Sequence, residues 1–261
     1  MPGGVVNPLR RIGRLLARGE QRISHLEWEM KRLREALDFA LRDDWSRWLY
    51  RNRAERMDAS VSFFDEGRRR FHLERYRFAA DHVQGKQVAD IACGTGYGTE
   101  LLCLRGKAAR VVGVDIDAEA VAYAKERHGC DAARYVQASA DRTGLPDESF
   151  DVVVSFETIE HVAEDLSLLE EFSRLLRPAG RLVCSTPNAW PLEQAEHHLR
   201  EYDHASFRAL LESHFVVEVM HNQNSGMQGA PFNRGQPAGI TPTTADNAAL
   251  AECFVAVCRK P

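Results

Sequence analysis

Nowhere in the 261 residues do 18 apolar residues follow one another, so no segment is expected to cross a membrane. The first twenty residues have arginines scattered among their apolar positions, and no secretory signal is read there. The six cysteines (93, 103, 130, 184, 253 and 258) form no C-x-x-C pair and mostly sit in apolar runs. That speaks against a zinc knuckle or a disulfide framework and for buried free thiols in a reducing, cytoplasmic compartment. Neither sign of charge dominates. Thirty-four Lys and Arg against 38 Asp and Glu leave -4, which by itself predicts neither a nucleic-acid partner nor an acidic substrate.

What the chain has is asymmetry. Residues 1–57 hold twelve Arg and one Lys against eight acids, a balance of +5, so the remaining residues carry -9. Two parts are expected: a basic helical segment over 1–57 and a globular domain over 58–261. Leu16, Gly19, Ile23, Leu26, Met30, Leu33, Leu37 and Ala40 recur at alternating spacings of three and four, the heptad pattern. It fits a short coiled coil that makes the chain a homo-oligomer, or a helix folded back onto its own domain. Upstream, Leu9, Ile12, Leu15 and Leu16 among Arg10, Arg11, Arg14 and Arg18 could also touch an anionic membrane surface peripherally.

From about residue 85, β-branched apolar runs alternate with helix-compatible stretches. Strands are expected at 88–92, 110–115, 134–137, 151–156 and 181–186, with helices at 98–104, 118–127, 162–176 and 205–213. Strand followed by helix, repeated, means an α/β, doubly wound, mostly parallel sheet with right-handed crossovers. Two last strands, at 215–220 and 252–259, lack an intervening helix and should form an antiparallel edge. Seven strands are expected in all, behind the N-terminal helical extension. The Gly-, Asn- and Pro-rich stretch 222–247 reads as a lid or a disordered loop.

The run Val88-Ala-Asp-Ile-Ala-Cys-Gly-Thr-Gly-Tyr-Gly98 places an acid in a buried strand and then three glycines at alternate positions before a helix. Glycines there let the backbone turn sharply and a ligand approach the main chain. Dinucleotide-binding proteins share that pattern, but here Asp90 stands four residues before Gly94, and the next strand, VVGVDID, reaches Asp115 some twenty residues on. A carboxylate at that place can accept from both hydroxyls of a ribose.

With these motifs residues 70–261 resemble the class I S-adenosylmethionine-dependent methyltransferases. The stretches VQASADRTGLPDESFDVVVSFETIEHV and LLRPAGRLVCSTPN resemble that family's third to fifth strands. The resemblance implies that Asp90 orients the loop and the methionine ammonium. Gly94 and Gly96 would pass beneath the methionine moiety, Asp115 would hold the ribose, Ile116 would pack on adenine, and Ala92 is a further expected cofactor contact. Ser139 and Ala140 stand where the family's third-strand loop offers an Asp to the adenine amino group, with Asp141 two residues on. Phe71-His-Leu-Glu-Arg-Tyr-Arg-Phe-Ala79 is similar to the helix ahead of the first motif in bacterial glycan and lipopolysaccharide methyltransferases, where Tyr76 and Arg75 would cover the methionine end; alternatively Phe71, Tyr76 and Phe78 are core, and Phe156 is a further expected cofactor contact.

Phe156-Glu-Thr-Ile-Glu-His161 follows the fourth strand, at the edge where open α/β sheets bind ligands. On a helical turn Glu157 and Glu160 would share a face, with His161 beside them. Two carboxylates and an imidazole can bind a divalent ion, and mixed O and N donors suit Mg²⁺, Mn²⁺ or Zn²⁺. This E-x-x-E-H pattern resembles that of the small-RNA 2′-O-methyltransferases, where a later His completes a metal site; here His198 is the candidate. An ion would fix a sugar hydroxyl and lower its pKa, with His161 or His204 taking the proton. Alternatively Glu157 and His161 line a metal-free acceptor pocket. The expected activity is O-methylation of a sugar in glycan or glycosylated natural-product synthesis. Its rivals are a quinone or other small-molecule O-methyltransferase, an RNA ribose 2′-O-methyltransferase, and a non-catalytic scaffold. A catalytic domain of charge -9 disfavours RNA.

Overall fold

The computed structural model describes residues 8–54, 56–188, 197–227 and 235–261, with side chains from residue 20 onward. Two compact units emerge, Met1–Glu55 and Arg56–Pro261. The first consists of α1 (Pro8–Ala40) and α2 (Asp44–Arg51). At 1.5 Å per residue α1 is about 50 Å long. The Asp43 side chain caps α2 by accepting from the Ser46 N–H at 2.8 Å. No described helix is long and apolar enough to cross a membrane.

The second unit opens with α3 (Glu66–Ala80) and continues as β1 (Gln87–Ile91), α4 (Tyr97–Leu104), β2 (Arg110–Asp115), α5 (Ala118–Arg127), β3 (Ala133–Gln137), β4 (Phe150–Phe156), α6 (Asp165–Leu175) and β5 (Leu176–Pro187). Then come α7 (His204–Glu212), β6 (Val216–Asn224), β7 (Gly239–Pro242) and β8 (Cys253–Arg259). The sheet order is β3-β2-β1-β4-β5-β8-β6-β7; the first five strands are parallel, and β8, β6 and β7 pair antiparallel.

Period-two burial builds the two layers. Val88, Val152 and Val154 join the cluster under α3 and α4, with Tyr76, Ala79 and Leu102, while Ala89, Ile91 and Val153 face Leu168, Phe172 and Phe207 of α6 and α7. All six cysteines are free, five of them buried.

Two expectations need correction. The sheet has eight strands rather than seven, because Gly239–Pro242, inside the stretch read as a lid or disordered loop, pairs with β6 from His221 to Asn224. Asn222 fixes that pairing, its amide donating to the Asn247 carbonyl at 2.7 Å while its oxygen accepts from the Thr243 hydroxyl. Residues 228–234 of the stretch lie outside the described residues. The second correction is that Phe156-Glu-Thr-Ile-Glu-His161 forms a turn and not a helix; α6 starts only at Asp165.

Candidate cofactor and acceptor site

The loop between β1 and α4 carries three residues of positive φ at alternate positions: Ala92 (61°), Gly94 (55°) and Gly96 (87°). Only glycine adopts such angles without strain, and Gly96 is further constrained, since a Cβ there would stand 2.6 Å from that of Ala124. Gly94 differs. A Cβ there would meet nothing within 4 Å, so the space beside its Cα is open. The Gly94 N–H donates to Asp115 Oδ2 at 2.8 Å, and the Asp117 N–H to Asp115 Oδ1 at 3.0 Å, which fixes the carboxylate at the tip of β2. Beside it Ile116 is 66% exposed, an apolar side chain with no cover where an adenine would lie.

Asp90 is fully buried beneath the loop, accepting from Thr99 Oγ1 at 2.6 Å and Tyr76 Oη at 3.2 Å. Burial dominates over these two donors, and with the negative charge of Asp115 it raises the carboxyl to about 7. Tyr76 meets Phe156 edge-on at 5.0 Å between centroids and Tyr97 at 5.4 Å, closing the apolar wall over Asp90. At the third strand Ser139 donates to Asp141, and both Ser139 and Ala140 are half-buried.

Past β4 the residues singled out from sequence separate. Glu157 stands at φ 52°, its N–H directed at the Ser185 carbonyl, and its carboxylate pairs with Arg75 Nη1 at 2.7 Å. The buried guanidinium of Arg75, 1% exposed, takes it as counter-ion, and Glu157 is not among the side chains whose ligand atoms converge. Glu160, His161 and His198 do converge, offering ligand atoms within 4.8 Å of one another. His198 arrives because Leu199 N–H donates to Glu160 O at 2.8 Å and Arg200 to the carbonyls of Val162 and Ala163. His161 and His198 meet edge-on at 4.7 Å. His161 Nδ1 lies 2.9 Å from the His197 carbonyl, an acceptor that Nδ1 can meet only as a donor, and Nε2 faces Glu160 Oε1, 3.9 Å away. Glu160 is buried, and one of its oxygens, Oε1, has no hydrogen-bond partner among the described residues. Burial, then the Glu157 charge, pushes its carboxyl well above the usual range. His204 stands apart at the start of α7, its ring against Phe254.

Sequence reasoning missed three partners: Thr99 on Asp90, Arg75 as the counter-ion of Glu157, and a clasp behind the glycine loop. In the clasp Asp58 accepts from Tyr123 Oη at 2.9 Å and from Ser60, and meets His128 Nε2 at 2.7 Å; His128 Nδ1 meets Glu100 at 2.8 Å. Thr95, in the glycine loop itself, donates to the Met57 carbonyl at 2.7 Å. Arg56 pairs with Asp117 at 3.0 Å and lies 3.9 Å from Asp115.

Residues 89–184 match the methyltransferase domain family. The chain is 34% identical over 150 residues to a probable S-adenosylmethionine-dependent methyltransferase of Mycolicibacterium smegmatis, covering 55% of this chain and 57% of that protein. It is 31% identical over 129 residues to phthiotriol/phenolphthiotriol dimycocerosates methyltransferase 1 of Mycobacterium ulcerans, covering 49% and 47%. The chain thus spans about half the length of the curated relatives it matches. Among solved structures, the N-methyltransferase NodS of Bradyrhizobium japonicum in complex with S-adenosyl-L-homocysteine superimposes with a TM-score of 0.57 at 16% identity, over 76% of this chain and 89% of that one. A methyltransferase of Haloferax volcanii, solved with the Trm112 activator, gives 0.58 at 20% identity, over 75% and 94%. The fold is the Rossmann-like methyltransferase fold.

Proposed function

We propose that this chain moves the methyl group of S-adenosylmethionine to a hydroxyl of a sugar, in glycan or glycosylated natural-product synthesis. The observation that carries the donor assignment is the open glycine loop, with buried Asp90 beneath it and Asp115 fixed at the tip of the next strand. These residues fit the donor: Asp90 toward the ammonium, Gly94 under the methionine moiety, Asp115 on the ribose, Ile116 and Ala140 against adenine. The donor supplies an electrophilic methyl on a sulfonium, so the protein's remaining task is to present an acceptor lone pair in line and to take its proton.

Glu160, His161 and His198 are the residues for that task. Glu160 Oε1, which has no hydrogen-bond partner among the described residues, and the aligned His161 Nε2 fit a divalent cation, Mg²⁺, Mn²⁺ or Zn²⁺. Such an ion would lower the pKa of a hydroxyl bound to it. Without one, His161 Nε2 takes the proton as general base. Glu157, held by Arg75, lines the pocket in either case. A second reading, methylation of a lipid hydroxyl, is favoured by the Mycobacterium ulcerans relative, whose name gives a lipid acceptor. Self-association through α1, with membrane contact by its basic turns as the alternative, and action in the cytoplasm complete the reading.

The test is label transfer from S-adenosylmethionine to fractionated nucleotide-sugars, glycolipids, apolar lipids and RNA, alongside calorimetry with S-adenosylhomocysteine. Label in the sugar-bearing fractions is expected. Label confined to apolar lipids or RNA would replace the acceptor, and preferential binding of NAD would overturn the donor.

A further inference from the structure

From Ile23 to Leu37 the heptad residues of α1 are exposed. Ile23, Leu26, Met30, Leu33 and Leu37 are between 51% and 64% exposed, whereas Ala36 and Ala40, at the end of the helix, are buried. Five large apolar side chains on one helical stripe are far more than scattered surface residues.

The charges flanking the stripe say what covers it. With Ile23 at heptad position a, the stripe reads a, d, a, d, a through Leu37. Positions g are then Arg22 and Glu29, and positions e are Glu27 and Arg34. In a parallel pair each g residue lies against the e residue five positions on in the other helix. Arg22 therefore meets Glu27, and Glu29 meets Arg34, on both sides of the seam: every charged pair is opposite in sign. Shifting one helix by a heptad sets Arg22 against Arg34 and Glu29 against Glu27. The pattern is complementary to itself, and only in register. Ile23 at a with Leu26 and Leu33 at d also follows the combination that favours two parallel strands. An anionic membrane suits this half of the helix poorly, since residues 20–40 carry five acids against four Lys and Arg. Read upstream, the register falls on Leu16, Ile12 and Leu9.

We propose that α1 pairs with α1 of a second copy of this chain as a parallel, in-register two-stranded coiled coil over residues 23–37. This rests on the self-association in the functional reading and adds orientation, register and the residues that set them. The test uses the full chain. Light scattering should give twice the chain mass. Leu26→Cys and Leu33→Cys, made separately, should each form a disulfide-linked dimer on mild oxidation where the parent forms none. Antiparallel helices could bring at most one of the two positions against its own copy, so crosslinking at only one site, or at neither in a dimer, overturns the parallel register. A chain of monomeric mass overturns self-association as well. Arg34→Glu, which leaves Glu29 facing a second carboxylate across the seam, should shift the species toward monomer, and adding Glu29→Arg should restore the dimer. Failure of that rescue removes the assigned ion pairs.

Discussion

Asp90 shows how much of this site rests on single side chains. As a lone acid in an apolar strand it stood out from the sequence, but its partners did not. Thr99 lies on the next helix, Tyr76 on the preceding one, and no local spacing ties either to it. With a carboxyl raised to about 7 from an ordinary value of about 4, the folded protein holds a proton that the unfolded chain releases. The sign follows: this group's unfavourable contribution is absent at low pH and grows as pH rises through the interval from about 4 to 7. A ligand ammonium beside Asp90 restores the charged form and expels the proton. S-adenosylhomocysteine binding near neutral pH should therefore release a proton, seen as a binding enthalpy that changes with the ionisation enthalpy of the buffer. Asp90→Asn should erase that dependence; a buffer-independent enthalpy in the parent would refute the contact. Asp115→Ala should weaken the same binding by about 1–3 kcal/mol, through loss of charge-assisted hydrogen bonds.

At the scale of elements, β2 and β4 are legible as β-branched runs buried on both faces, and the antiparallel edge because two strands follow each other without a helix. β7 was not: Gly-Ile-Thr-Pro is four residues in a polar, glycine-rich stretch, and it owes its strand geometry to pairing with β6 rather than to any pattern of its own. The turn after β4 was misread for a related reason. Spacing alone favours a helical face for Glu157 and Glu160, whereas Glu157 takes a φ of 52° and pairs with Arg75, a residue 82 positions away in the chain. What remains converged is Glu160, His161 and His198, brought together by the 197–202 segment and not by sequence neighbourhood. If these three hold a catalytic cation, a chelator should abolish methyl transfer, leave S-adenosylhomocysteine binding intact, and be reversed by added metal. His198→Ala should then cost rate by orders of magnitude, since an ion that polarises the nucleophile contributes several kcal/mol. Full activity in excess chelator, with His161→Ala alone inactive, would leave His161 as the base.

For the whole molecule, the consequential boundary lies just after α2, where the second unit begins at Arg56. Charge asymmetry marks this region in the sequence. It does not reveal that the first residues of the second unit are bound to the glycine loop and its surroundings: Met57 O accepts from Thr95, and buried Asp58 accepts from Ser60 and Tyr123 and meets His128, seventy residues on. Burial opposes the charge on His128, but the hydrogen bonds and charges of Asp58 and then Glu100 outweigh it and raise its pKa; the His128 charge and hydrogen bond in turn hold Asp58 below its usual range against burial. His128 also caps the C-terminus of α5, where a positive charge suits the helix dipole. Because the folded value for His128 is raised, the clasp's contribution is complete below about pH 6.5 and is lost as pH rises through that folded value. On the acid side the Asp58 contribution fades as pH falls through its lowered value. Breaking one partner of a buried pair costs about 3 kcal/mol or more. His128→Gln should thus lower Tm by roughly 6–12 °C at mildly acidic pH, for a unit of this size. The deficit should shrink as the solution is made alkaline. A chain starting at Arg56 should keep the parent's thermal profile and its affinity for S-adenosylhomocysteine, while one starting at Asp65 should lose both, because the glycine loop then has no backing at Thr95 and His128 keeps only Glu100. Equal melting of the two truncated chains would show that residues 56–64 contribute nothing to holding the loop.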